Sequence, residues 1–284
     1  MERRGGRAEA TLDDPLLWSS TDQERALRVI ARWYDLDFGS MTDDVEMILE
    51  LASGRERVLE LGVGSGRIAA LLARAGHRVT GVDSSEAMLE SGAQRLRESG
   101  VNVERGDMRC LDLDERFELV FFGLSTFQHM LRREDQLAAL RSARAHLVQE
   151  GRLVIDWTAP RPDDLVPTPR ALQVEWMRES DDGRWVTKQA MQELALVREC
   201  GSALDRSSPI AWITYQYDSV ENSGSLHRSL ARFPLRVNLS TGEMAGLLAE
   251  AGLRAVEWFG SWDFDEPGDG DRLIVVAVGA EEAA

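Results

Sequence analysis

Three glycines stand at every second position in the segment ELGVGSG, at Gly62, Gly64 and Gly66. An apolar run precedes them and a helix-forming segment follows, an order typical of a strand, a tight turn and a helix. Glycines there let the backbone turn sharply and approach a ligand closely, while the helix presents its first amides. Dinucleotide-binding loops have the spacing G-x-G-x-x-G, whose last glycine would fall at Arg67, so a pyrophosphate ligand is disfavoured.

Acidic residues follow the next two apolar runs. Asp83 closes the second run, where its carboxylate can accept two hydrogen bonds from vicinal ribose hydroxyls. Asp107 and Met108 follow the third run in VNVERGDM, where a carboxylate can accept an adenine amino proton and a thioether can lie against the ring. Because the carboxyl ends of parallel strands share one edge of a sheet, we expect these groups to bind one adenosine-containing ligand.

In this order, ELGVGSG, Asp83 and GDM resemble the motifs of class I S-adenosylmethionine-dependent methyltransferases, in the branch that acts on small natural products. The resemblance covers residues 57–156, the preceding WYDLDFG and the final pair of strands. It implies an α/β, Rossmann-like fold whose seven-stranded, mostly parallel sheet has the order 3-2-1-4-5-7-6, with an antiparallel last strand and helices on both faces. It also implies S-adenosylmethionine as the cofactor and S-adenosylhomocysteine as the product.

The resemblance assigns roles around this cofactor. The glycine loop would hold the methionine part, Asp83 the ribose, and Asp107 with Met108 the adenine. Glu60 would orient the amino group, and Arg67 would pair with the carboxylate. An aromatic residue before the loop would cap the cofactor, and the end of the fourth strand would line its side. The full implied set is Tyr34, Glu60, Gly62, Gly64, Gly66, Arg67, Asp83, Asp107, Met108, Phe122 and Gly123.

Candidate catalytic residues follow the fourth and fifth strands, beside the expected donor methyl. His129 in FFGLSTFQHML is the first candidate for a general base, and Asp156 is the alternative. A neutral amine can attack before it loses its proton, whereas a hydroxyl or an unactivated carbon usually needs a base. The candidate substrate contacts are Ser125, Phe127, Gln128, Trp157, Trp176, Trp212 and Tyr215.

The periodicity of apolar residues predicts the elements that position these groups. Strands alternating with helices indicate a parallel sheet covered by helices. The expected strands are 57–61, 78–82, 101–105, 117–122, 151–156, 253–259 and the final RLIVVAVG. The expected helices between them are 66–75, 85–98, 134–148, ending at QEG, and 241–251. Two further helices precede the first strand, one capped by Ser20 or Thr21 and one beginning near Thr42.

A proline-rich segment, TAPRPDDLVPTP, indicates a boundary after the fifth strand. The residues beyond it alternate between apolar and polar and are rich in aromatic side chains, which predicts antiparallel strands. We therefore divide the chain into four parts. They are a flexible tail (1–18), an N-terminal helical cap (19–54), a cofactor-binding core (55–160 and 238–280) and an inserted β-rich lid (161–237).

Composition narrows the class of protein. The 284 residues carry a formal charge of −16, which disfavours nucleic acid and favours a small-molecule acceptor. No apolar run approaches about 18 residues and no apolar stretch follows the first basic residues, so we expect no membrane contact and a cytoplasmic location. Two isolated cysteines predict neither a disulfide framework nor a metal site. The sequence is compatible with a homo-oligomer.

The sequence therefore favours methyl transfer to a nitrogen or oxygen of a small secondary metabolite that is apolar, aromatic or amine-bearing. An amine could be held by ring faces and by carboxylates such as Glu175. Three alternatives remain. They are C-methylation of a small metabolite, a noncatalytic binding protein with the same fold, and a nicotinamide oxidoreductase.

Overall fold

The computed structural model describes residues 15–159, 171–198, 207–237, 240–268 and 272–280. Most of the expected tail, much of the proline-rich segment and parts of the expected lid lie outside the described residues. Among the helices that are described, none is long and apolar enough to cross a membrane.

Helices and strands alternate through the first half of the described chain. In chain order the elements are α1 (Ser20–Phe38), α2 (Asp43–Ala52), β1 (Arg57–Leu61), α3 (Arg67–Arg74), β2 (Arg78–Asp83), α4 (Glu86–Ser91), α5 (Ala93–Ser99), β3 (Asn102–Arg105), β4 (Phe117–Phe122), α6 (Arg133–Ala145), β5 (Leu147–Thr158), β6 (Gln173–Glu179), β7 (Trp185–Arg198), β8 (Ser207–Val220), β9 (Leu226–Arg236), α7 (Thr241–Glu250), β10 (Leu253–Phe259) and β11 (Arg272–Gly279). Two short 3-10 turns cover Pro15–Leu17 and Thr126–His129.

Seven strands form the main sheet in the order β3-β2-β1-β4-β5-β11-β10. The strands from β3 to β5 pair in parallel, and β11 is antiparallel to both of its neighbours. Strands β1 and β4 are buried along nearly their whole length, which is typical of a sheet covered by helices on both faces. The predicted fold class and strand order are confirmed.

Four further strands form a separate antiparallel sheet in the order β6-β7-β8-β9. One face of this sheet packs against α1, where Ala26 and Ile30 meet Ala231 and Phe233 in one apolar cluster. In a second cluster, Trp33 of α1 meets the same sheet at Val186 and Tyr217. Helix α1 thus packs on this sheet along one side, and on its other side it contacts α4 and α5.

Three local predictions about helices are wrong. Helix 85–98 is divided at Gly92, where a Cβ would lie 2.0 Å from the carbonyl oxygen of Ser65 in the glycine loop. Helix α6 ends at Ala145, and QEG belongs to β5 because Leu147 already pairs with Phe117 of β4. Helix α1 is capped by Ser19, whose hydroxyl accepts from the backbone N–H three residues later at 3.2 Å.

Candidate functional site

A cavity of about 490 Å³ lies at the carboxyl ends of the central parallel strands, between the main sheet, α1 and the antiparallel sheet. Ligands of open α/β sheets bind at this edge. We divide the cavity into two parts. The loop half is lined by Glu60, Gly62, Gly64, Asp83, Asp107, Met108 and Asp135, and the histidine half by Ser125, His129, Thr158, Tyr215, Phe233 and Arg272.

The glycine loop has the backbone geometry that its sequence predicts. Gly62, Gly64 and Gly66 have φ angles of 84°, 54° and 76°, which disfavour residues with a side chain. A Cβ at Gly62 would lie 2.3 Å from Cγ2 of Thr126. Gly62 and Gly64 line the cavity, whereas Gly66 caps α3 and packs against Leu96, away from the cavity.

Asp83 fixes the end of β2 to the glycine loop. Its Oδ2 accepts from the backbone N–H of Gly64 at 2.8 Å, and its Oδ1 accepts from that of Ser85 at 2.8 Å. Burial raises the pKa of this carboxyl group above its ordinary value. A carboxylate has about four lone-pair positions, so it retains capacity to accept hydroxyl groups of a ligand.

Glu60 is a buried carboxyl group beneath the loop, and it lines the cavity. Its Oε2 atom has no hydrogen-bond partner among the described residues. Burial raises the pKa of Glu60 well above its ordinary value, with the nearby Arg67 guanidinium acting in the opposite sense. Because buried polar atoms are nearly always hydrogen-bonded, this oxygen marks a place for a ligand donor, such as an ammonium group.

Arg67 is not placed as its predicted role requires. Its Nη1 donates to Oδ1 of Asp44 at 3.0 Å and to the carbonyl oxygen of Met41 at 2.8 Å, and its Nη2 bonds Oδ2 of Asp44. The guanidinium group lines the cavity, but its terminal nitrogens are occupied by α2 and the segment before it. Arg67 therefore anchors α2 beside the loop. Its terminal nitrogens are not free to pair with the carboxylate of a ligand.

Asp107 and Met108 both line the cavity after β3. Arg109 donates to both carboxylate oxygens of Asp107, with distances from 2.6 to 3.0 Å, and also to Asp135 at 2.7 Å. The hydrogen bonds from Arg109 hold the pKa of Asp107 below its ordinary value. An adenine amino group would share this ionised carboxylate with Arg109.

Tyr34 and Gly123, two members of the implied cofactor-binding set, also line the cavity. Tyr34 lies on α1, and burial raises its pKa to about 12, so its hydroxyl group is neutral at ordinary pH. Phe122 is different, because its side chain is fully buried and packs edge-on against Phe127, with ring centroids 5.4 Å apart. It supports the cavity from behind and does not line it.

His129 ends the 3-10 turn after β4 and lines the histidine half. Its ring stacks on Phe233 of β9, with centroids 5.8 Å apart and an interplanar angle of 25°, and Phe233 in turn contacts Tyr215 edge-on. Among the described residues, His129 has no hydrogen-bond partner. Burial lowers the pKa of His129 to about 4, so the imidazole is neutral at ordinary pH.

Asp156, the alternative base, does not line the cavity. Its Oδ1 accepts from Nη1 of Arg272, and its Oδ2 accepts at 3.2 Å from both Trp262 Nε1 and the N–H of Leu124. Burial raises its pKa, although Arg272 acts in the opposite sense. These bonds hold the turn at Leu124 and Ser125, whose φ angles are 44° and 63°. Asp156 is therefore a positioning residue in this structure.

The other predicted substrate contacts divide into two groups. Ser125 and Tyr215 line the cavity. The remaining five are used elsewhere, in packing or in hydrogen bonds between elements. They are Phe127 and Trp157 in the core of the main sheet, Gln128 bonded to the carbonyl groups of Thr158 and Arg236, Trp176 bonded to Asp37, and Trp212 packed on Trp18.

Sequence reasoning missed several cavity residues. Arg272 and Thr158 face each other across the antiparallel pair β11 and β5, and both line the histidine half. Phe233 and the α1 residues Leu27 and Ile30 complete the apolar wall. An arginine or threonine at a strand end belongs to no local motif, so only the strand register could have identified this pair.

Comparison with known proteins agrees with this geometry. Residues 58–151 match the family described as a methyltransferase domain. A cypemycin N-terminal methyltransferase from Streptomyces sp is 28% identical over 180 residues, which cover 62% of this chain and 65% of that protein. Residues 58–151 of the chain therefore form a methyltransferase domain. The chain spans slightly less than two thirds of that relative's length.

Solved structures share the fold over most of the chain. The amino pentose methyltransferase CalS10 from Micromonospora echinaspora, solved with S-adenosylmethionine bound, has a TM-score of 0.68 at 20% identity, covering 89% of this chain and 97% of that chain. The sugar N-methyltransferase KedS8 from Streptoalloteichus sp has a TM-score of 0.65 at 20% identity, covering 99% and 100%. At these identities the likeness concerns the fold alone.

Proposed function

We propose that the protein is an S-adenosylmethionine-dependent methyltransferase and that it methylates a nitrogen atom of a small secondary metabolite bound in the histidine half. The observation that carries the proposal is the neutral imidazole of His129, which lines this half without a hydrogen-bond partner among the described residues. When bound, S-adenosylmethionine supplies an activated methyl group on a sulfonium sulfur. The residues of the chain then have to orient the acceptor and exclude water.

The loop half fits the cofactor in two respects. The partnerless Oε2 of Glu60 suits the ammonium of the methionine part, which would satisfy this buried oxygen. The glycine loop offers a surface without side chains, and Asp83 is held beside it for the ribose hydroxyls. We assign the adenine to Asp107 and Met108, and the cap to Tyr34.

The candidate bases of this site favour nitrogen over oxygen as the methylated atom. A hydroxyl group usually needs a general base whose pKa lies near the working pH, whereas the pKa of His129 is lowered to about 4. Asp156 is buried and occupied, and the carboxylates that line the cavity among the described residues lie in the loop half. A neutral amine needs only a hydrogen-bond acceptor that orients its lone pair toward the methyl group, and the imidazole can serve as one.

The names of similar proteins agree with this choice. The relative from Streptomyces sp is named for methylation at an N-terminus, and the two structural neighbours are named for an amino pentose and for sugar N-methylation. The wall formed by Tyr215 and Phe233 gives an amine-bearing ring an apolar surface to lie on.

The test is to incubate the protein with isotopically labelled S-adenosylmethionine and a metabolite extract, and to locate the new methyl group by mass spectrometry. We expect an N-methylated small molecule. His129→Gln should lower kcat for that acceptor by about tenfold or more while cofactor affinity stays unchanged, because only acceptor orientation is lost. His227→Gln, an exposed histidine on β9, is the matched control. A methylated hydroxyl or carbon, or full turnover in the His129 variant, would contradict the proposal.

A further inference from the structure

Arg272 presents unused hydrogen-bond donors to the histidine half. A guanidinium group carries five N–H donors. The structure uses one terminal nitrogen, Nη1, for Asp156, and the remaining nitrogens have no partner among the described residues. The side chain lines the cavity and is mostly shielded from solvent, since 16% of it is exposed. Donors that face a cavity bond either water or an acceptor group of a ligand.

The position of Arg272 is fixed before any ligand arrives. Asp156 holds one edge of the guanidinium group, and the ring of Trp262 covers one face, with the central carbon 4.0 Å from the ring centroid. Asp156 is itself held by Trp262 and by the N–H of Leu124. A long side chain that is already ordered loses less conformational entropy when it binds a ligand.

Two hydroxyl groups lie on the same wall. Thr158 is directly opposite Arg272 in the register of β5 and β11, and its Oγ1 is 3.0 Å from Oγ of Ser125. All three residues line the cavity. Because these two hydroxyl groups bond each other, one of them retains a proton to donate to a ligand. A fixed fork of N–H donors beside this hydroxyl group matches the geometry of a carboxylate or phosphate group.

The charges around the cavity are divided unequally. The carboxylates that line it, among the described residues, are Glu60, Asp83, Asp107 and Asp135, and each belongs to the loop half or is bonded to Arg109 there. Glu175, which the sequence suggested as a partner for a basic acceptor, is instead paired with Lys188 at 2.8 Å. The histidine half therefore offers donors rather than carboxylates, although the whole chain has a charge of −16.

From these contacts we propose that Arg272, with Thr158 and Ser125, forms an oxyanion-binding subsite for the acceptor. The inference rests on the proposed function and deepens it. The acceptor carries a carboxylate or phosphate group in addition to the nitrogen that is methylated. The subsite fixes the acceptor at one end, and His129 with Phe233 positions the other.

The test measures binding of two simple probes, inorganic pyrophosphate and succinate, by calorimetry at low salt with S-adenosylhomocysteine present. We expect one of them to bind the wild-type protein, pyrophosphate if the acceptor group is a phosphate and succinate if it is a carboxylate. Arg272→Gln should weaken that probe by about tenfold or more, the equivalent of one charge-assisted hydrogen bond. Arg254→Gln, at an exposed position on β10, is the matched control and should bind like the wild type.

Several outcomes overturn the subsite. The subsite is contradicted if neither probe binds the wild-type protein. It is also contradicted if a probe binds Arg272→Gln and the wild type equally well, because that result would show an adventitious ion only. Weaker binding of S-adenosylhomocysteine to the Arg272 variant would assign the arginine to the cofactor instead. If Arg272→Gln does not fold because Asp156 is left buried and unpaired, the double variant Asp156→Asn, Arg272→Gln replaces it. A failure of the proposed function can be told apart from a failure of the subsite. In that case the product is methylated at an atom other than nitrogen, while the probe still binds the wild-type protein.

Discussion

The two halves of the cavity are built in different ways. The loop half comes mostly from one continuous segment, residues 58–66, and from the ends of β2 and β3, and its geometry depends on backbone amides and positive φ angles. The histidine half is assembled from a 3-10 turn and from the ends or interiors of β5, β8, β9 and β11. One half is therefore specified by local sequence, and the other by which strands lie side by side.

This difference explains how one fold can combine a fixed donor site with a separate acceptor site. The backbone of the glycine loop accepts few substitutions, since a Cβ at Gly62 would meet Thr126. The histidine half relies on side chains such as Phe233 and Tyr215, which can change without altering the loop. Acceptor choice is thus separable from cofactor binding in this architecture.

Helix α1 connects the two halves. On its loop side, Glu24 accepts from the N–H of Ala87 at 3.0 Å and Asp35 pairs with Arg95 at 2.5 Å. On its other side, Asp37 pairs with Lys188 of β7 at 2.5 Å. The Lys188 pair is buried and the Arg95 pair is largely exposed, so removing one partner should cost more stability on the side of the antiparallel sheet.

The largest expected effect comes from breaking that attachment. Lys188 is the single lysine of the chain, and its Nζ lies between Asp37 and Glu175 and 3.9 Å above the ring of Tyr215. Lys188→Met should lower the free energy of unfolding by about 3–5 kcal/mol, because it leaves the Asp37 carboxylate buried and unpaired. Urea unfolding measures this loss.

Two matched variants sharpen the interpretation of the Lys188 result. Lys188→Arg retains the charge and should lose much less stability. Asp37→Asn combined with Lys188→Met should recover part of the loss, because no carboxylate is then left unpaired. A loss of less than about 1 kcal/mol in Lys188→Met would show that α1 and the antiparallel sheet are held by apolar packing instead.

A somewhat smaller effect is expected in the loop half. Gly62→Ala should weaken S-adenosylmethionine binding by about 100-fold, since the residue has a φ of 84° and its Cβ would lie 2.3 Å from Thr126. Gly100→Ala is the matched control, with a φ of 75° and no atom within 4 Å of the new Cβ. Calorimetric titration checks both variants, and equal affinities would show that the loop tolerates a side chain at this position.

Sequence reasoning succeeded where the signal was local. The positions of the main-sheet strands and the positive φ angles at the glycines follow from patterns within about ten residues, whereas the strand order came from the family resemblance. It failed where the role of a side chain is decided by a residue far away in the sequence. Asp156 lies on β5 two residues before its end at Thr158, and Arg272, which lies 116 positions later, occupies its carboxylate. Trp157 points to the opposite face of the same strand and is buried in the core, and local pattern does not reveal which face meets the cavity.

The smallest expected effect tests whether the histidine half is shielded from water. The unfolded chain protonates its histidines as the pH falls through about 6.5, whereas the pKa of His129 in the folded protein is about 4. Between these values the unfolded state binds the additional proton, so folding stability decreases as the pH falls. His129→Gln removes this contribution, and its stability relative to the wild type should rise by about 1–3 kcal/mol as the pH falls from 7 to 4.

His227→Gln, exposed on β9, is the control for the general effect of acid on other groups. A stability difference between His129→Gln and the wild type that stays constant over this range would contradict this prediction. It would mean that the imidazole is hydrated in the folded protein even though its ring stacks on Phe233.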